Sequence, residues 1–240
     1  MLSPETQARL DQARAHENDY RPNASISQQL GDKALVMVVA PAAIGKSTIM
    51  QRAVELSDDF AMVPVFSTRD ARPDDDPALF RLSPHDDEHV NQLLNKIDAR
   101  EAVQYAIHPT QGTIYGTEAS DYPAKYNLLA TLSNVVAGMR ELPFNHTYTI
   151  GLITDANHWR QWFDARFPVQ HKDRQKRLKE AAQSLEWLLA DNQVLWLYNQ
   201  PEAHDETARS LIDLVQDNAE PADLRQQATE LLIAARELQA

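Results

Sequence analysis

The 240-residue sequence has no cysteine, which excludes a disulfide scaffold, a thiolate nucleophile and any cysteine-ligated zinc or iron–sulfur centre. Glycine is scarce, at six residues, and no Gly/Ser-rich or Pro-rich linker divides the chain, so one large domain with terminal arms is expected. No apolar run approaches the roughly 18 residues of a membrane-spanning helix. The opening Met1-Leu2-Ser3-Pro4-Glu5 lacks the basic and apolar regions of a secretory signal. Positive charge is also short: 23 Lys and Arg stand against 35 Asp and Glu, for a net charge of -12. A surface that acidic is unsuited to gripping a nucleic-acid backbone or an anionic membrane. The expectation is a cytoplasmic protein with neither as a partner.

The apolar pattern alternates between short runs and helical stretches. Ala34–Val39 is continuously apolar, as in a strand buried on both faces of a parallel sheet. Lys46–Leu56 reads as a helix and Phe60–Phe66 as a second strand. A helix over 85–97 follows an acidic loop, then short strands at Val103–Ile107 and Thr113–Tyr115. Thr147–Ile153 is a further strand, with helices from about Trp159 and across 173–190. Val194–Tyr198 is the last strand, and two helices close the chain. Strands alternating with helices predict an α/β three-layer sandwich around a mainly parallel sheet.

Directly after the first strand comes Ala40-Pro41-Ala42-Ala43-Ile44-Gly45-Lys46-Ser47-Thr48. This is a phosphate-loop pattern with Ala40 in place of its first glycine. Backbone amides of Ala43, Ile44 and Gly45 curl around an anion at the start of a helix, whose dipole favours negative charge. Lys46 neutralises phosphate oxygens, and the Ser47 hydroxyl, with Thr48 beside it, suits Mg²⁺. Ala42 and Ala43 stiffen the loop, because alanine resists the positive φ that glycine accepts. The second strand runs into Ser67-Thr68-Arg69-Asp70-Ala71-Arg72-Pro73. Two arginines three apart at a strand end suit a second phosphate, since each donates paired hydrogen bonds.

Residues 34–215 resemble, in order, the guanylate kinase family of nucleoside monophosphate kinases. The APSGAGKS-type loop corresponds to Ala40–Ser47 and the TTRxxRPGE segment to Ser67–Asp75. The F[VL]S element resembles Phe80–Ser83, GEFLEWA resembles Arg100–Ala106, and GNYYGT resembles Gly112–Thr117. The arginine-bearing lid is similar to Asp164–Arg177, and the final strand end to Leu197-Tyr198-Asn199. The resemblance implies a P-loop kinase domain over 34–218, with an acceptor-binding subdomain at about 66–120 and a helical lid at about 158–180. It would be flanked by an N-terminal extension, 1–33, and a C-terminal helix, 219–240.

It further implies ATP and Mg²⁺ as cofactors. Lys46, Arg69, Arg166 and Arg177 would then act on the transferring group, with Arg174 folding over the ATP phosphates and Asn199 near the adenine. Ser67, Arg69, Arg72, Gln104, Tyr115 and Thr117 would hold a small phosphate-bearing acceptor, Thr117 at the base edge. Independently, 158–180 holds seven Lys and Arg against three Asp and Glu, a basic island in an acidic chain.

The departures from the family concentrate where it reads guanine. Gln104, a neutral amide, replaces a glutamate; Val65 replaces a serine and Ala78 a tyrosine. Leu128–Leu132 lacks the Asp-x-Asp that ends the corresponding strand. Loss of a buried base-reading hydrogen bond costs discrimination on the order of 10⁴, so the acceptor is expected to differ from GMP: a non-guanine nucleotide or a sugar phosphate. The alternative is a catalytically inactive module of the same fold that binds a phosphorylated or acidic partner.

Other groupings take ordinary readings. Asp121 and Asp155 read as turn or cap residues, and the four tryptophans as packing. His85 and His89 read as part of an acidic helix start rather than as metal ligands. Asp74–Asp76 reads as a solvated loop. Residues 201–240 carry nine acids and three bases, half of the net charge. A last helix opening at Pro221 carries Leu224, Ala228, Leu231, Ala235 and Leu238 as a narrow seam. That seam suits packing on its own domain, or association with a second copy or partner.

Overall fold

Ala34–Val39 forms strand β1, buried at every position, as its unbroken apolar run requires. Lys46–Leu56 forms helix α3, the third along the chain after α1 (Pro4–Ala15) and α2 (Ala24–Leu30); α2 was not foreseen. The computed structural model describes residues 2–72, 75–108, 111–217, 219–220 and 222–239.

The expected strand over 60–66 is two strands, β2 (Phe60–Met62) and β3 (Val65–Ser67), in different sheets. The break falls at Val63-Pro64, where proline offers no N–H to a ladder. Next come β4 (Phe80–Leu82), α4 (Asp87–Asp98), β5 (Ala102–Ile107), β6 (Ile114–Glu118) and β7 (Tyr126–Ala130). They are followed by α5 (Val136–Arg140), β8 (His146–Ile153), α6 (Ala156–Arg166), α7 (Arg174–Ala190), β9 (Val194–Tyr198), α8 (His204–Gln216) and α9 (Arg225–Glu237).

The chain divides into two units. The first comprises residues 1–34, 61–127 and 137–146 and carries a four-stranded sheet ordered β4-β3-β6-β5. One face of that sheet, with Phe66, Tyr105, Ile107 and Ile114, shares a core with Val90, Leu94 and Ile97 of α4 and with Leu10 and Ala13 of α1. Through Leu10 and Ala13 the N-terminal helix is thus a core component. Tyr105 ties it down by donating to the Ala13 carbonyl at 2.8 Å. Gly116 lets the Phe66 ring cross β6: a β-carbon there would lie 2.3 Å from the ring.

The second unit comprises residues 35–60, 128–136 and 147–240 and holds most of a five-stranded, mostly parallel sheet ordered β2-β7-β1-β8-β9, flanked by helices. β8 and β9 pair in parallel, with Ile153 beside Tyr198. The α9 seam faces its own unit: Ala228, Leu231 and Ala235 are buried, and α9 packs on α7 and α6. The helix starts at Arg225; Pro221 lies outside the described residues. No helix among the described residues is long and apolar enough to cross a membrane.

Candidate active site

In the second unit, β1 hands the chain to α3 through residues 40–45. Two of these carry positive φ: Ala43 at 64° and Gly45 at 85°. Gly45 is the N-cap of α3, and its carbonyl accepts from the Ile49 amide at 3.1 Å. Ala43 sits where the family has glycine, so the loop adopts the left-handed turn in spite of its side chain. That costs about 1–2 kcal/mol. Two contacts from distant parts of the chain hold the turn. Asn199 donates from Nδ2 to the Ile44 carbonyl at 2.7 Å, and the Trp159 indole N–H donates to the Ala42 carbonyl at 2.9 Å.

Asn199 is 1% exposed, and its own amide donates to the Ile153 carbonyl at 2.7 Å. Because the Ile44 oxygen can only accept, the orientation of the Asn199 amide is fixed. Its Oδ1 then has no partner among the described residues. Ala43, Gly45, Trp162, Arg166, Asn199 and His204 line a cavity of about 190 Å³. Sequence reasoning placed Ala43, Gly45, Arg166 and Asn199 in this site but missed Trp159, Trp162 and His204. The helical spacing of Trp159 and Trp162 signalled packing alone, and nothing marked His204.

Lys46 and Ser47 open α3. Desolvation pushes the Lys46 ammonium pKa down to about 8, and it makes no ion pair among the described residues. Ser47 and Thr48 are exposed. Where the family carries Asp-x-Asp, the end of β7 carries Ala130, Thr131 and Leu132. Asp155 caps α6 by accepting from the Asn157 and His158 amides, each at 3.0 Å, as its reading as a cap requires.

The lid arginines separate. Arg166 lines the cavity. Arg174 is turned inward: it donates to the Phe167 carbonyl, pairs with Asp164 at 2.8 Å and lies over the Phe163 ring. Arg177 pairs with Glu180 on its own helix at 2.7 Å.

In the first unit, strand register gathers most of the expected acceptor residues. Ser67 lies opposite Tyr115, Tyr115 opposite Ala106, and Thr117 opposite Gln104. With a period of two, Ser67, Gln104, Tyr115 and Thr117 share the sheet face away from the Phe66–Ile114 core. Thr117 is buried, its hydroxyl 2.7 Å from that of Tyr122.

Arg69 and Asp75 depart from expectation. The Arg69 guanidinium grips Asp75 with both forks, at 2.7 and 2.6 Å, over the Phe80 ring. The reading of 74–76 as a solvated loop is corrected at Asp75, whose side chain is 12% exposed. Asp76 caps the following turn through the Ala78 amide at 2.8 Å, and Pro73 and Asp74 lie outside the described residues. Asp121 accepts from the Glu118 amide and pairs with Arg81. Asp86 caps α4 and bonds His89, while His85 bonds Thr68.

No family model and no curated protein matches this sequence. Solved structures do. Guanylate kinase from Anaplasma phagocytophilum aligns with a TM-score of 0.51 at 16% identity, covering 88% of this chain and 97% of its own. A fungal RNA kinase follows at TM-score 0.36 and 12% identity, covering 87% and 99%. Polyphosphate kinase 2 from Pseudomonas aeruginosa PA01 follows at 0.32 and 11%, covering 99% and 49%. The likeness to that guanylate kinase is one of fold, an α/β arrangement with a mostly parallel five-stranded sheet flanked by helices. The first alignment carries that statement, and it agrees with the β1–loop–α3 geometry.

Proposed function

We propose that this chain is an ATP-dependent phosphotransferase of nucleotide-kinase type whose acceptor is a small phosphate-bearing molecule other than GMP. The observation that carries the reading is the built phosphate loop. Gly45 and Ala43 adopt left-handed conformations, and Asn199 and Trp159 hold the loop carbonyls. Lys46 stands beside them with no carboxylate to neutralise it among the described residues. Such a turn stores conformational energy at a helix N-terminus, where backbone N–H groups and the helix dipole favour an anion.

The adjoining cavity suits the donor nucleotide's base, with the Trp162 indole as an apolar wall and Asn199 Oδ1 as an unused acceptor. Ser47 would be the loop's hydroxyl ligand for Mg²⁺, which when bound would offset charge on the phosphates. With no carboxylate at the end of β7, the remaining ligands would be water and phosphate oxygens. The acceptor's phosphate falls to Arg69, Arg72 and Tyr115, and its remaining part to the neutral face of Ser67, Gln104 and Thr117. No residue is required to remove a proton when the acceptor is already an ionised phosphate.

A coupled assay of ADP release across nucleoside monophosphates and sugar phosphates tests the reading, with Lys46→Ala as control. Turnover with one acceptor class, lost in Lys46→Ala, supports it. Activity confined to GMP contradicts the assignment of Gln104, Val65 and Ala78. One observation favours a second reading, a binding module: Arg69 is already engaged by Asp75. Absence of ATP binding, with no ADP release for any acceptor, selects that reading.

A further inference from the structure

The contact between Arg69 and Asp75 has the form of an occupied anion site. Three N–H donors converge on one carboxylate. Arg69 Nη1 and Nη2 reach its two oxygens at 2.7 and 2.6 Å, and the Arg72 amide reaches Oδ2 at 2.7 Å. The guanidinium is held in place: Nη1 also donates to the Asp70 carbonyl at 2.8 Å, the plane lies 4.8 Å from the centre of the Phe80 ring, and the side chain is 6% exposed. A planar fork fixed in this way matches phosphate as well as it matches carboxylate. Asp75 sits six residues from Arg69, outside the strands and beside the exposed Arg72 side chain.

We propose that Asp75 is an internal stand-in for the acceptor's phosphate, closing the Arg69 fork until an acceptor displaces it. The inference rests on the kinase reading of the preceding subsection and adds a specificity-determining residue to it. Exchanging one anion for another leaves the buried guanidinium paired at every stage, avoiding the cost of an isolated buried charge. The exchange also sets a threshold. A ligand must offer Arg69 more than a monoanionic carboxylate does, which favours a dianionic phosphate over a carboxylate or a neutral hydroxyl compound. The Asp75 carboxyl is held below its usual pKa chiefly by the Arg69 hydrogen bonds, so it remains an ionised competitor throughout the neutral range.

The test is binding of inorganic phosphate and of AMP, CMP, UMP and GMP to the wild-type chain and to Asp75→Asn, by calorimetry and by thermal shift. If the closed fork dominates, its removal tightens anion binding by about 10–100-fold, the inverse of a competent fraction of roughly 1–10%. Asp75→Asn should melt earlier than wild type without anion and recover on adding phosphate. Equal affinity of both proteins for a monophosphate overturns the inference and leaves the kinase reading standing. Absence of binding of inorganic phosphate and of all four nucleotides to both proteins overturns the inference, while the kinase reading falls only if the coupled assay finds no acceptor. Should Asp75→Asn not fold, the Arg69 Nε–H resonance of the wild-type chain is followed during acceptor titration. A shift that saturates with binding supports the exchange, and an unmoved resonance at saturation overturns it.

Discussion

Gly45 and Asn199 face each other across the phosphate loop: a β-carbon at position 45 would lie 2.8 Å from Asn199 Nδ2. Gly45 also holds a φ of 85°, so Gly45→Ala meets both a backbone and a steric penalty. The left-handed conformation alone costs about 1–2 kcal/mol. Displacing the Asn199 amide from the Ile44 carbonyl adds about 1 kcal/mol. Urea unfolding should show a destabilisation of that sum, with ATP binding lost. An unchanged midpoint would contradict the assignment of Asn199 as the loop's clamp.

Two residues earlier, at Ala43, glycine fits the backbone better than the native side chain. Ala43 has a φ of 64°, so Ala43→Gly removes a penalty of about 1–2 kcal/mol. The added freedom of glycine in the unfolded chain returns roughly 0.5–1 kcal/mol of this. A net gain of about 0.5–1 kcal/mol corresponds to about 1–4 °C in melting temperature for a chain of this size. A lower melting temperature for Ala43→Gly would mean that the loop has a different shape in solution.

These two positions also show what a single sequence discloses. The phosphate loop was legible because its spacing is dictated by chemistry, and β1 and α3 on either side of it end where the residue pattern changes. Strand β9 and the α9 seam were legible for the same reason. The split at Pro64 needed sheet topology: the apolar pattern runs on through 60–66, while the missing N–H acts only once partners are known. Trp159 and Asn199 reach the loop from more than a hundred residues away, and no local pattern reports such a contact. Asp75 was misread because three consecutive acids resemble a solvated loop, and only the position of Arg69 distinguishes the middle one.

Trp159→Phe isolates the second clamp. The indole is fully buried and supplies the only bond that the Ala42 carbonyl makes among the described residues. Phenylalanine keeps most of the packing but removes the donor, for a cost of about 1–3 kcal/mol from the lost bond and the small void. If the bond shapes the loop, ATP affinity falls several-fold along with stability. Lost stability with unchanged affinity assigns Trp159 to packing alone.

Lys46 gives the pH dependence. Its folded pKa of about 8 lies below the ordinary 10.5 because burial disfavours the ammonium. Between these values the unfolded chain holds a proton that the folded chain has released, so the Lys46 contribution makes stability rise with pH across that window. Nucleotide binding follows the opposite trend, because only the ammonium pairs with phosphate. At pH 9.5 the protonated fraction is a few per cent, and each unit above the pKa removes a further factor of about ten. ATP affinity should therefore weaken about 10–30-fold between pH 7 and 9.5. Calorimetry at the two pH values measures this, and Lys46→Met, which lacks the titrating group, should bind weakly and equally at both. A wild-type affinity that does not change with pH would place the ammonium away from the phosphates and remove Lys46 from the site.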